Sequence, residues 1–180
     1  MSVFTNPAGA APEHAHAYID AILGLLGDRD PMEVLRATPA ALETAVEACP
    51  PPLRRAPEAQ GKWSVADVVH HLADSEIVWA ARVRKALAED RPTLTGFDQD
   101  IWADRLRYRD REPGPSMAAF AALRRANLEL LEGCDDDALG RVALHVERGE
   151  ESVRHMMRLY AGHDLLHLEQ IARIHRAVGG

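Results

Sequence analysis

Two histidines near the C-terminal end of the chain, His163 and His167, have the spacing of a pair of metal ligands. They lie four residues apart in a segment with helical character, and positions i and i+4 lie one above the other on the same face of a helix. Two imidazoles in that arrangement can bind one metal ion, and a third histidine would leave coordination positions open for water or substrate. The pair therefore predicts an open, histidine-rich metal site.

The third ligand has to come from the other histidines among the nine in the chain. His71 is the best candidate because it lies on the apolar stripe of a long predicted helix. His70, the preceding residue, points about 100° away from His71 around the helix axis and lies on a more polar face of the same helix. His155 and His175 lie two helical turns from the pair, too far to join the same ion, and nothing in the sequence requires His145 at the site.

The chemistry of imidazole limits which ion such a site would take. Neutral imidazole suits transition metals such as Zn, Ni, Cu and Fe, whereas Mg and Ca prefer oxygen ligands. Three neutral ligands leave the full positive charge of the ion to acidify a bound water or thiol. Asp67, four residues before His71, is the predicted hydrogen-bond partner for its other ring nitrogen. Asp164 stands after His163 where a zincin protease has glutamate, which disfavours that class.

Further side chains are candidates for the walls of a pocket. Trp79 and Trp102 could line it, although core packing is the alternative for each. Arg82 and Arg105 could hold substrate carboxylates, with solvated surface charge as the alternative. The same histidine spacing also occurs on ordinary helices, so a purely structural bundle stays open as an interpretation.

Composition limits the class of protein. A chain of 180 residues with 47% hydrophobic and 27% charged residues is ordinary for a single globular domain. The net charge of −7 argues against nucleic-acid binding. Cys49 and Cys134 are isolated, which fits a reducing cytoplasm. No apolar run reaches the roughly 20 residues that span a membrane. Residues 1–12 lack the features of a signal peptide and are predicted to form a flexible lead-in to a domain of residues 13–180.

Apolar periodicity and capping residues predict an all-α protein, a four-helix bundle with short connecting helices. Ser64, Ser116 and Ser152 are predicted to begin long helices that end near residues 88, 131 and 178. A short helical piece over 32–37 is followed by a separate helix from the Thr38 cap to residue 48, with Pro39 at its first position. The remaining predicted elements are a helix over 13–26, a short helix over 98–108 and a hairpin-like excursion over 142–151.

Two of these segments resemble the signatures of the DinB-like family. Residues 63–76 read WSVADVVHHLADSE, with a histidine eight residues after the tryptophan and a leucine after it, which resembles the family's second-helix motif. Residues 162–171 read GHDLLHLEQI and resemble its last-helix motif. Residues 96–102 (GFDQDIW) are also similar to members of this group. The resemblance extends over about 30–174.

The resemblance implies a four-helix bundle with a three-histidine metal site, carried over onto His71, His163 and His167. The ion would be a divalent transition metal such as Zn, Ni, Mn or Fe. Relatives include thiol-dependent S-transferases that use bacillithiol, mycothiol or glutathione, and members are often dimers. We therefore expect a cytoplasmic, homodimeric, metal-dependent S-transferase that conjugates a low-molecular-weight thiol to a small electrophile, without nucleic-acid or membrane partners. The alternatives are a non-catalytic, stress-associated metal-binding protein and a metal-dependent hydrolase.

Overall fold

Seven helices carry most of residues 12–179, the part of the chain that the computed structural model describes. Their bounds are α1 Pro12–Leu26, α2 Pro31–Ala48, α3 Val65–Ala88, α4 Gln99–Arg105, α5 Pro113–Glu132, α6 Asp136–Gly140 and α7 Val153–Gly179. The lead-in predicted for residues 1–12 lies outside the described residues, apart from Pro12, with which α1 begins. None of the helices in 12–179 has the length and apolarity that crossing a membrane requires.

Helices α2, α3, α5 and α7 form the bundle. Each of them packs against two of the others, in the cyclic order α2, α5, α3, α7, and α1 packs against the outside of α7. This arrangement confirms the predicted four-helix bundle. The longest of the four, α7, therefore contacts both its bundle neighbours and α1.

Helix α2 is one continuous helix, and the prediction of a break at Thr38 is wrong. The Thr38 hydroxyl donates to the carbonyl of Val34 at 2.8 Å, so it bonds back along the helix and does not cap a new one. Pro39 lies inside the helix and has no N–H for the carbonyl of Leu35. That carbonyl accepts a hydrogen bond from the Arg124 side chain of α5 at 3.0 Å, so a contact from another helix satisfies it.

The predicted caps of α3 and α7 are confirmed, and that of α5 is wrong. Ser64 and Asp67 form a reciprocal capping box at the start of α3. The Ser152 hydroxyl accepts from the N–H of His155 at 3.1 Å in the first turn of α7. Helix α5 begins three residues before Ser116, at Pro113, because proline suits the first turn.

A small three-stranded sheet covers one end of the bundle. Strands β1 (Thr93–Leu94), β2 (Val142–His145) and β3 (Gly149–Ser152) lie in that order, with β1 parallel to β2 and β2 antiparallel to β3. The β2–β3 pair is the predicted hairpin, in register with Leu144 opposite Glu150. Gly149, the first residue of β3 after the turn, lies in the left-handed region at φ 84°, a conformation that favours glycine.

Polar side chains separate two large hydrophobic clusters along the bundle axis. One cluster contains Trp79 and Met156, and the other contains Phe120 and Ile171. Each of the four bundle helices contributes buried polar residues between them, namely Thr38 of α2, Ser75 and Glu76 of α3, Arg124 and Asn127 of α5, and Asp164 and His167 of α7. Buried polar groups are costly unless they are hydrogen-bonded. This polar layer therefore indicates a part of the bundle interior whose residues serve a purpose other than hydrophobic packing.

Candidate metal centre

The capping box of α3 uses the carboxylate that the sequence predicts as the partner of His71. Asp67 Oδ2 accepts from both the backbone N–H and the hydroxyl of Ser64, each at 2.8 Å. This carboxylate is therefore committed to the start of the helix, and the side-chain Nδ1 of His71 has no hydrogen-bond partner among the described residues. The predicted pairing of Asp67 with His71 is wrong, because a local cap competes for the same carboxylate.

The structure brings the rings of His71, His163 and His167 together. The Nε2 atom of His163 lies 3.2 Å from that of His71 and 3.1 Å from that of His167. One ligand atom from each of the three residues lies within 4.8 Å of the others. The i, i+4 pair on α7 thus faces His71 of α3 across the bundle interior.

Burial keeps these imidazoles neutral. It lowers the pKa of His71 and His163 far below the ordinary value, with a further lowering from neighbouring histidines. Burial also lowers the pKa of His167 to about 4, although the hydrogen bond to Gln170 opposes it. A neutral imidazole carries one nitrogen lone pair that is free to bind a metal ion.

Gln170 decides which nitrogen of His167 carries the proton. Its Oε1 lies 2.8 Å from His167 Nδ1 and can only accept, so Nδ1 donates and the lone pair lies on Nε2. This is the support that metal-binding histidines ordinarily have at their other ring nitrogen. Several Nε2 atoms converge here on one point, where lone pairs repel each other unless a proton or a cation lies between them. The donor set therefore fits a transition-metal ion.

A cavity of about 100 Å³ opens beside His71 and His163. Its apolar wall consists of Ile19, Ile22, Phe97 and Leu159, and its polar lining includes Tyr18, Ser75, Arg82, Gln99, Glu147, Arg148 and Tyr160. Helix α1 reaches this space because α7 carries glycine at position 162. A Cβ there would lie 2.3 Å from the carbonyl oxygen of Ile22, so only glycine permits this approach.

The sequence model of the DinB superfamily matches residues 35–171. This chain belongs to the DinB superfamily. YfiT of Bacillus subtilis, which bears the name of a candidate metal-dependent hydrolase, is 29% identical over 149 residues, 82% of this chain and 84% of the relative. GK0616 of Geobacillus kaustophilus bears the same kind of name and is 30% identical over 146 residues, 81% of this chain and 82% of the relative.

The solved structure of YfiT has the same DinB fold. It matches this protein with a TM-score of 0.77 at 28% sequence identity, covering 83% of this chain and 86% of that one. It is described as a candidate metal-dependent hydrolase with an unusual four-helix-bundle topology. Together with the family match, this confirms the DinB-like fold that the sequence predicts.

The tryptophans that were candidates for the pocket do not line the cavity of this DinB protein. Trp79 is fully buried in the core, where its ring stacks on Tyr160 at 4.7 Å between centroids. Trp102 packs against Phe97 at 4.6 Å, and it is Phe97 that reaches the cavity. Of the two interpretations that the sequence leaves open for Trp79, pocket lining and core packing, the structure therefore shows core packing.

His70 is also buried, although the sequence places it on the polar face of α3. Its Nε2 lies 3.3 Å from the carbonyl of Arg111 and donates to it, so its Nδ1 accepts from the hydroxyl of Ser116 at 2.8 Å. Burial lowers its pKa. Both ring nitrogens are thus satisfied away from the cavity, and His70 joins α3 to α5.

A buried ion-pair network behind the histidines is the largest feature that the sequence interpretation missed. Arg124 of α5 pairs with Glu76 at 2.7 Å and with Asp164 at 2.6 Å, and all three side chains are at most 1% exposed. Asn127 donates to the same Glu76 carboxylate at 2.7 Å. The sequence does contain an indication of this network. Arg124 stands four residues after Phe120 and therefore lies on the apolar face of α5, where a charged residue needs a buried partner.

Proposed function

We propose that this DinB protein is a metal-dependent enzyme in which His71, His163 and His167 hold one divalent transition-metal ion through their Nε2 atoms. The convergence of these three neutral nitrogens beside a cavity carries the proposal. When bound, such an ion lowers the pKa of a coordinated water or thiol and makes it a nucleophile at neutral pH. Zn, Ni, Mn and Fe are the candidate ions.

The residues of the chain position the reactants. Gln170 orients His167, and the ring of Trp63 packs against that of His71 with 4.9 Å between their centroids. The apolar wall of the cavity suits the carbon skeleton of a small substrate and limits the access of water to its reacting end. The protein thereby contributes binding and orientation.

Transfer of a thiol to an electrophile is the activity we place first. The resemblance to thiol-dependent members of the family supports it, and so does the lining of the cavity. Among its described residues a single carboxylate, Glu147, could take a proton from a water molecule. A thiol depends less on such a proton acceptor than water does, because its own pKa is near 8.5 and a nearby cation lowers that pKa further. The sulfur would bond to the electrophilic carbon as the leaving group departs.

Hydrolysis is the second candidate. The relatives YfiT and GK0616 bear names of metal-dependent hydrolases, which favours attack by water on an ester or amide. In that case Glu147, which lines the cavity, would serve as the proton acceptor. A cytoplasmic location, a homodimer and a role in stress response remain predictions from the sequence.

Metal content decides whether the centre exists. Untagged protein is expected to contain close to one transition-metal ion per chain, and His163→Ala is expected to lose it. His175→Ala, on the same helix, is the matched control and should keep the ion. Equal metal content in wild type and His163→Ala would refute the metal centre.

Two assays then separate the candidate activities. Protein loaded with Zn, Ni or Mn is tested for conjugation of 1-chloro-2,4-dinitrobenzene to several thiols, and for hydrolysis of p-nitrophenyl acetate. A conjugation rate above that of the thiol alone, lost in His163→Ala, supports the transferase. Hydrolysis with the same dependence on His163 and no conjugation would favour the hydrolase instead. The absence of both activities would support the non-catalytic metal-binding alternative.

A further inference from the structure

Arg82 is a buried cation in the wall of the cavity, and among the described residues no carboxylate is in direct contact with it. Its residue is 8% exposed, and it pairs with no carboxylate among the described residues. Its one hydrogen bond in this part of the chain runs from Nη2 to the carbonyl of Thr95 at 2.5 Å. Its Nε is buried and has no partner there. A guanidinium has five N–H donors, so most of its capacity is unused.

Two other arginines near Arg82 have hydrogen-bond or ion-pair partners within the protein. Arg148 also lines the cavity, but it pairs with the buried carboxylate of Glu151 at 2.5 and 2.9 Å. Arg84, two residues after Arg82 on α3, donates to the carbonyl of Ala80 and to Asn127 Oδ1. Arg82 thus differs from both, because within residues 12–179 its guanidinium contacts no carboxylate and makes a single hydrogen bond, to the Thr95 carbonyl.

Two arginines and two glutamates lie around this end of the cavity, namely Arg82, Arg148, Glu147 and Glu151. Glu151 is 1% exposed and forms its ion pair with Arg148. It also attracts Arg82 electrostatically, but among the described residues no carboxylate contacts the guanidinium of Arg82 directly. The remaining carboxylate of the lining, Glu147, forms no ion pair with Arg82 in the described structure. A buried charge is costly unless it is paired, and an anionic ligand would supply the missing partner. Planar, bidentate recognition of carboxylates is the characteristic use of arginine.

We infer that the cavity selects small molecules that carry a carboxylate, which Arg82 binds while the reactive group of the molecule lies at the three histidines. His71, Ser75 and Arg82 all line the cavity from one face of α3. The backbones of His71 and Arg82 are about 16 Å apart along the helix axis. Their side chains extend into this space, so a chain of several bonds suits the separation between the carboxylate and the reactive end. The position of the reactive end rests on the proposed function, but the carboxylate site does not.

Binding to metal-free protein tests the carboxylate site by itself. The probes are hexanoate and hexan-1-ol, which share their carbon chain, and the measurement is isothermal titration calorimetry. Hexanoate is expected to bind at least tenfold more tightly than the alcohol. In Arg82→Gln this preference should fall below twofold, and in the matched control Arg84→Gln it should persist. Arg82→Lys, which keeps the charge but loses the planar fork, should retain a reduced preference.

Equal affinity of the two probes for the wild-type protein would overturn the inference, whatever the stability of the variants. A preference that survives in folded Arg82→Gln would overturn it as well, since the carboxylate would then bind elsewhere. In a second arm, Co²⁺-loaded protein is titrated with 6-mercaptohexanoate, and the sulfur-to-cobalt absorption band is followed. A missing band together with an intact hexanoate preference would contradict the proposed metal and thiol chemistry while supporting the carboxylate site.

Discussion

Replacing Arg124 with methionine is expected to lower the free energy of unfolding by about 5 kcal/mol. Removing one partner of a buried pair costs about 3–5 kcal/mol because the remaining charge is left uncompensated. Here two carboxylates, Glu76 and Asp164, lose their cation. The carbonyl of Leu35 also loses its donor, which costs a further 1–3 kcal/mol or so. Burial already raises the pKa of Glu76, so this carboxyl would take up a proton and recover part of the loss.

The measurement is equilibrium unfolding in urea. With a slope of about 2 kcal/mol/M, a loss of 5 kcal/mol moves the midpoint down by about 2.5 M. Such a change is a large part of the roughly 5–15 kcal/mol that stabilises an ordinary domain. Methionine has a similar length and fills much of the same space between Trp79 and Phe120, so the loss reports on charge more than on a cavity.

Two further variants make the test of Arg124 decisive. Arg125→Met alters the neighbouring exposed arginine of α5 and should change stability by about 0.5 kcal/mol or less. Adding Glu76→Gln and Asp164→Asn to Arg124→Met removes the uncompensated charges and should restore about 2 kcal/mol. A loss below about 1 kcal/mol in Arg124→Met, or no recovery in the triple variant, would refute the view that the layer is stabilised by its charge balance.

Two other predictions concern the surroundings of the histidines. Gly162→Ala should lower stability by about 1–3 kcal/mol, and the melting temperature by roughly 3–10 °C, because the new methyl group would overlap the Ile22 carbonyl. Gly114→Ala, where nothing lies within 4 Å of the added atom, should not lower it, and equal melting temperatures of the two variants would contradict the close approach of α1. Gln170→Ala should weaken metal binding by about 10–100-fold in a chelator competition, because His167 loses the acceptor that orients its ring. An unchanged affinity would show that packing alone holds this ring.

Local features of the fold were predictable because they depend on residues close together in the chain. The capping box at Ser64 and the helix periodicity around it involve neighbours within four residues. The same periodicity places His163 and His167 on one face of α7 and His71 on a face that points into the bundle. This is why sequence reasoning selects the same three histidines that the structure brings together.

The wrong predictions involve residues whose partners are distant in the chain. Judged from its neighbours in the chain, Pro39 is typical of the first residue of a helix. Arg124, 85 positions later, satisfies the Leu35 carbonyl that this proline leaves without a donor, so the helix continues through it. Ser116 reads as a cap, but its hydroxyl bonds to His70 of another helix. Trp79 reads equally well as a pocket or a core residue, and only the packing of α3 against α7 decides between them.

By itself, the sequence determined the long bundle helices, apart from the break placed in α2 and the start of α5, and the histidines that could meet at one point, because helical periodicity and spacing are local properties. The DinB bundle was predicted from the resemblance of its motifs. The tertiary structure alone decided what surrounds those histidines. It placed the Arg124 network behind them, committed Asp67 to a cap, and buried Arg82 in the cavity wall with no carboxylate of residues 12–179 in direct contact. The physical reason is that burial and charge pairing depend on which helices touch, and residues far apart in the chain create the surroundings on which specificity depends.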